Sequence, residues 1–136
     1  MTETVRRIQP DIIVNVAAYT AVDKAESEHN IAQLLNVTSV EAVAKEAQKL
    51  GAWLIHYSTD YVFDGRGQHP WAETDTPAPL NLYGDTKLAG EQAVQMYCNK
   101  YLIFRTSWVY AAQGSNFTKT MLLLRIGKVR GYCSYQ

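Results

Sequence analysis

The sequence predicts an α/β protein built on an open, parallel sheet, and three observations carry that prediction. Short β-branched apolar runs alternate with longer amphipathic stretches, in the order strand, helix, strand, helix, strand, helix. The first apolar run is hydrophobic at consecutive positions, as in a strand covered on both faces. Each run also ends in polar and aromatic residues, which is where loops converge at the carboxyl edge of such a sheet.

Taken in order, the amino-terminal "TETVRRIQ" reads as a helix leading into the first strand, "DIIVNVAA" (residues 11–18). The following stretch carries Ile31, Leu34, Leu35, Val40, Val43, Ala44 and Ala47 at three- and four-residue spacings, and Gly51 closes it as a helix C-cap. One long helix or two abutting ones fit that pattern. "WLIHYS" (residues 53–58) is the second strand, and the proline-rich residues 66–81 form a loop. A helix from about Tyr83 to Tyr97, a strand over residues 101–110 and a helix over residues 116–126 complete the pattern, joined by right-handed crossovers. Both ends read as incomplete: the chain is expected to be a fragment, with a divergent or disordered tail over residues 125–136.

Composition narrows the function. The 136 residues are 47% hydrophobic and 19% charged, which suits one globular core. Thirteen basic residues balance thirteen acidic ones without any run of like charge, so neither nucleic acid nor a membrane surface is the expected partner. The sequence contains no apolar stretch long enough to span a bilayer and no signal-peptide pattern, and the cytoplasm is the expected compartment. Cys98 and Cys133 lie far apart and read as reduced thiols; His29, His56 and His69 are scattered and are assigned no chemistry. No metal site is expected.

The chemistry is expected in "YSTDY" (residues 57–61) and "NLYGDTK" (residues 81–87). Tyr83 and Lys87 are one helical turn apart, so both side chains lie on one face, and Thr59 at a strand end stands 24 residues earlier. A free tyrosine titrates near pH 10, and an adjacent ammonium would lower that value enough to make the phenol a useful acid. Thr59 would hold a carbonyl oxygen against the Tyr83 proton, Lys87 would steady the phenolate and reach a cofactor ribose, and hydride would come from a nicotinamide. Ser58, Thr59 and Asp60 could equally be turn-forming residues at the end of a strand.

The strand-end Ser-Thr, the Tyr-x-x-x-Lys helix and the "NVAA" strand end resemble the extended short-chain dehydrogenase/reductase family. Within it, "DIIVNVAAYTAVDKAE", "STDYVFDG", "YGDTKLAGE" and "FRTSWVY" are similar to the branch that reduces dTDP-4-keto sugars, over roughly residues 3–124. The resemblance implies that residues 1–124 are the central part of an NAD(P)-binding, Rossmann-like doubly wound sheet. It implies reduction of the 4-keto group of dTDP-4-dehydro-L-rhamnose with NADPH or NADH, supplying dTDP-L-rhamnose for bacterial cell-surface polysaccharide.

In that scheme Tyr83, Lys87 and Thr59 are catalytic, and Ala17, Ala18, Tyr19, Thr20 and Tyr57, with Tyr83 and Lys87, line the cofactor. Thr59, Asp60 and Trp108 contact the dTDP-sugar, and Asn36 links a helix to the active-site strand. Full-length relatives are expected to be homodimers, with magnesium contacts that match no residue here. The family's Gly-rich pyrophosphate turn and its carboxyl-terminal substrate region have no counterpart in the sequence. A non-catalytic binding or regulatory relative, or an inactive truncated product, is the alternative reading.

Overall fold

The computed structural model describes residues 2–125, apart from 68, 112 and 115, and divides into two compact units, Met1–Arg105 and Thr106–Gln136. The expected divergent tail lies outside the described residues beyond Arg125.

In the first unit, α1 (Thr2–Ile8) leads into β1 (Ile12–Asn15). Two short helices follow, α2 (Val22–Ala25) and α3 (His29–Gln33), then a π-helical turn (Leu34–Thr38) and α4 (Ser39–Leu50). β2 (Trp53–Thr59) runs into a 3-10 turn (Asp60–Val62), and α5 (Leu82–Tyr97) crosses to β3 (Tyr101–Thr106). The second unit holds α6 (Phe117–Arg125).

The sheet order is β1-β2-β3, with β1 and β2 parallel in the register Ile12 opposite Trp53 and Asn15 opposite His56. The stretch after the first strand, expected as one long helix or two abutting ones, is helical but broken into α2, α3, the π-helical turn and α4. A π-helical turn accommodates one extra residue, and here it turns the fully buried Asn36 inward between flanking helical segments.

Apolar spacing explains the packing. Val40, Val43, Ala44 and Ala47 form one stripe of α4 and bury against Leu54 of β2, Val94 of α5 and Cys98 just after it, with Ile13, Tyr97, Tyr101 and Ile103 around them. Gly51 ends α4 in the left-handed region at φ 66°, its N–H bonded to the carbonyls of Ala47 and Gln48. α5 starts at Asn81, whose side chain accepts from the Gly84 N–H at 2.8 Å.

Two sequence-derived strand readings change. The third strand stops at Thr106, and residues 107–110 leave the ladder; Trp108 there has φ 49°, a left-handed conformation incompatible with a continuing strand. Among the described residues the first strand is covered on one face only: Ile13 meets the core, whereas Ile12 and Val14 are exposed, as are Trp53, Tyr57, Leu102 and Phe104 on the neighbouring strands. Strand residues alternate between faces, so these side chains make an apolar sheet surface opposite α4 and α5.

Two glycines let α5 lie against its neighbours. A Cβ at Gly84 would stand 2.2 Å from the Tyr61 carbonyl oxygen, and one at Gly90 would stand 2.3 Å from that of Asn36. Both contacts are with backbone, which cannot swing aside. No described helix is long and apolar enough to cross a membrane.

On the outer surface Arg6 grips the Glu46 carboxylate through two hydrogen bonds of 2.7 Å, and Lys49 adds a third of 2.8 Å. The hydrogen bonds from Arg6 and then Lys49 pull Glu46 from 4.5 to about 2. A carboxyl depressed in the folded state stabilises fully above its unfolded value and loses that contribution as pH falls through the folded one. Stability is thus expected to decline between about pH 4.5 and 2 through this group. Glu46→Gln should flatten that part of the acid-unfolding curve measured by circular dichroism. Gly84→Ala should lower stability by about 1–3 kcal/mol in urea titrations, the usual cost of an added methyl with no space.

Candidate active site

β2 delivers Thr59 at its carboxyl end, where the chain turns. The Thr59 hydroxyl accepts from the Tyr61 N–H at 3.2 Å and donates to Asp60 at 3.2 Å, so the residue shapes the 3-10 turn as a turn-former would. The same hydroxyl acts on the Tyr83 phenol, holding it below where burial alone would put it. The two readings of this residue are therefore compatible: turn geometry aims the hydroxyl at α5.

Tyr83 is buried at the start of α5, packed with Ala25, Ala32, Tyr19, Val22 and Leu82, and the Tyr61 ring stands edge-on to it at 5.5 Å. One turn further, Lys87 is 2% exposed and donates from Nζ to the Tyr57 carbonyl at 2.6 Å. β2 thus supplies a hydroxyl to the tyrosine and a carbonyl to the lysine, and the period of α5 matches the two.

The electrostatics run opposite to the sequence-based expectation. Burial pushes the Tyr83 phenol up from 10; the Thr59 hydrogen bond opposes the rise, and the Asp60 and Tyr61 charges add to it. Lys87 is pushed down to about 8, by burial first, with Glu91 opposing. Lys87 spends its ammonium on a backbone carbonyl, and the phenol keeps its proton at neutral pH. A group that must give a proton to a carbonyl oxygen needs that state.

The segment after β1 is held by Asn36. Its Oδ1 accepts from the Tyr19 N–H at 2.9 Å, and its Nδ2 donates to the Tyr19 carbonyl and to Thr86 Oγ1, both at 3.1 Å. Thr86 lies between Tyr83 and Lys87, so one amide locks the Ala18–Thr20 backbone to the helix carrying both. Glu26 reinforces this by accepting from the Leu82 N–H at 2.7 Å, and the Tyr19 hydroxyl donates to Glu28 at 2.6 Å, which pushes that phenol up to about 12.

Tyr57 contributes differently from its side chain's expected role. Its carbonyl faces Lys87, while its ring packs on Phe104 at 5.8 Å on the exposed sheet surface. Trp108 belongs to the second unit, where it is exposed and packs edge-on against Phe117 at 4.6 Å.

Three features escaped sequence reading. His56 was assigned no chemistry, yet it is fully buried and meets Asn15 at 3.1 Å. Glu91 is buried and receives a two-pronged contact from Arg105, at 3.0 and 2.7 Å, binding α5 to the end of β3. The Arg105 guanidinium also lies over the Phe63 ring, which stacks on Trp71 at 4.4 Å. The polar residues Asn15 and His56 interrupting apolar strands were the available signal. Among the described residues no group of three or more His, Cys, Asp or Glu could hold a metal ion.

A parallel sheet with a threonine at one strand end and a Tyr-x-x-x-Lys helix beside it defines a Rossmann-type α/β fold of the reductase kind. The chain belongs to the family described as the RmlD substrate binding domain, whose model matches residues 1–130. It is 71% identical over 124 residues to dTDP-4-dehydrorhamnose reductase of Escherichia coli strain K12, covering 91% of this chain and 42% of that protein. The crystal structure of dTDP-4-dehydrorhamnose reductase from Bacillus anthracis in complex with NADP superposes with a TM-score of 0.88 at 47% identity, over 95% of this chain and 45% of that one. An ortholog from Clostridium acetobutylicum gives 0.89 at 40% identity, over 93% of this chain and 45% of that one. The chain therefore spans less than half the length of these relatives.

Asn36→Ala would leave the Tyr19 N–H and carbonyl without their partner. It is expected to cost about 2–4 kcal/mol in urea unfolding, the scale of losing buried hydrogen bonds at both groups.

Proposed function

We propose that this chain carries the catalytic part of an NAD(P)H-dependent reductase acting on the 4-keto group of dTDP-4-dehydro-L-rhamnose. The observation that carries the reading is Lys87, buried one turn after Tyr83 on α5 and hydrogen-bonded at 2.6 Å to the carbonyl of Tyr57, two residues before Thr59 on the neighbouring strand. Family membership and the likeness to a reductase solved with NADP support it.

The residues present fit the nicotinamide and ribose half of a dinucleotide. Among the described residues Lys87 makes one hydrogen bond, to Tyr57, and its ammonium has further N–H donors for ribose hydroxyls. Ala17 and Ala18 place only methyl groups at the exit of β1, and the backbone of Tyr19 is already fixed by Asn36. Ala17, Ala18, Tyr19, Thr20 and Tyr57 would line the cofactor, with Tyr83 and Lys87 at its nicotinamide end. When bound, the dinucleotide supplies hydride to the carbonyl carbon.

Thr59 would orient the keto oxygen of the substrate against the Tyr83 hydroxyl. Tyr83 then gives its proton to that oxygen as the carbonyl becomes an alcohol, and Lys87 steadies the phenolate left behind. Asp60, next to Thr59, is the proposed contact to the dTDP-sugar. Residues 1–124 are read as the central part of the dinucleotide-binding domain. The proposed setting is the cytoplasm, where dTDP-L-rhamnose is made for cell-surface polysaccharide.

Titration of the purified chain with NADPH, followed by nicotinamide fluorescence, tests this directly. Saturable binding is expected, weakened about tenfold or more in Lys87→Ala, which loses at least one charged hydrogen bond. Tyr83→Phe should keep the binding while losing NADPH-dependent turnover of dTDP-4-dehydro-L-rhamnose. No saturation up to millimolar NADPH would sink the proposal.

The pH dependence follows from Lys87. Burial pushes Lys87 down to about 8, so NADPH affinity should fall as pH rises through that value. Lys87→Arg, which stays charged, should abolish that fall in the same titration.

A further inference from the structure

His56 has no part in the proton transfer just described, yet its placement is constrained on every side. It is fully buried in β2 and stands opposite Asn15 of β1 in the parallel register. Asn15 Oδ1 accepts from the Ala17 N–H at 3.2 Å, and this contact sets which way the amide faces. Its Nδ2 then lies 3.1 Å from His56 Nδ1. An amide nitrogen can only donate, so Nδ1 accepts and the ring proton sits on Nε2.

Nε2 has no hydrogen-bond partner among the described residues. It faces α5 at Gly90, where a Cβ would stand 3.7 Å away. The charged groups reaching it are Lys87 and Glu91 of α5. Burial, with Lys87, pushes His56 down to about 4 against the pull of Glu91, so the ring is uncharged near neutrality. An imidazolium, or an Nδ1–H ring, would set two donors face to face. Asn15 would have to turn over, and Ala17 would lose its acceptor.

We infer that Asn15 and His56 form a positioning pair, in which the Nε2–H tautomer of His56 orients the Asn15 amide and thereby the Ala17 backbone for a bound dinucleotide. The inference rests on reading Ala17–Thr20 as cofactor-lining. It assigns a role to a histidine that touches neither cofactor nor substrate, and it accounts for an asparagine at the end of an apolar strand.

Nitrogen NMR of the chain labelled in histidine reads the tautomer directly. At pH 7 the His56 ring is expected with Nε2 protonated and Nδ1 bare; an Nδ1-protonated ring or an imidazolium overturns the pair. Hydrogen exchange at the Ala17 amide supplies the second readout. His56→Leu should speed it about tenfold, and weaken NADPH about tenfold, while α4 amides keep their protection.

His56→Asn, which retains an acceptor beside Asn15, should restore both. Unchanged Ala17 exchange in His56→Leu overturns the inference. A wild-type chain that binds no NADPH defeats the reductase reading instead, and the tautomer and the Ala17 exchange then decide the pair by themselves.

Discussion

The side-chain amide of Asn36 is the constraint on which the rest of the site depends. It is fully buried and makes three hydrogen bonds, two to the backbone of Tyr19 and one to Thr86. A buried amide left unpaired is costly, so these contacts act as a register mark between the β1 exit and α5. The π-helical turn is what brings Asn36 there, since the extra residue re-aims the side chain without ending the helix. Gly84 and Gly90 complete the arrangement, because only glycine lets α5 approach the carbonyls of Tyr61 and Asn36 so closely.

Within that frame, burial decides the charge states. Tyr83 and Lys87 are both shifted toward their neutral forms, the phenol upward and the ammonium downward. The site therefore holds a proton on the tyrosine and keeps a loosely committed cation beside it. Glu91 could have neutralised Lys87, but Arg105 already occupies its carboxylate in a two-pronged contact. One ion pair thereby spares another group, and the same ion pair fastens β3 to α5.

Much of this could be read from the residues before any coordinates. Apolar spacing in α4 and the Tyr83–Tyr97 helix are local signals, and α5 falls within a residue of where the pattern puts it. The pairing of Thr59 with the Tyr83 helix was legible as two motifs, because each has a local reason to exist. The break at Thr106 was not: "TSWVY" keeps strand-like composition, and only the left-handed backbone of Trp108 reveals the change of direction. The sign of the Tyr83 shift was also hidden, since sequence spacing shows that Lys87 is near but not that a Tyr57 carbonyl claims it. His56 looked inert for a similar reason, as its partner Asn15 lies 41 residues away in the chain.

The exposed apolar side of the sheet, lined by Ile12, Val14, Trp53, Leu102 and Phe104, bears on behaviour in bulk solution. The chain has a formal net charge of zero at pH 7 and an isoelectric point near 6.8, so electrostatic repulsion between molecules is weakest where that greasy surface has least to oppose it. Solubility should therefore pass through a minimum close to neutrality and recover in mildly alkaline buffer, a colloidal property set by the apolar side chains that the described residues leave exposed on three strands.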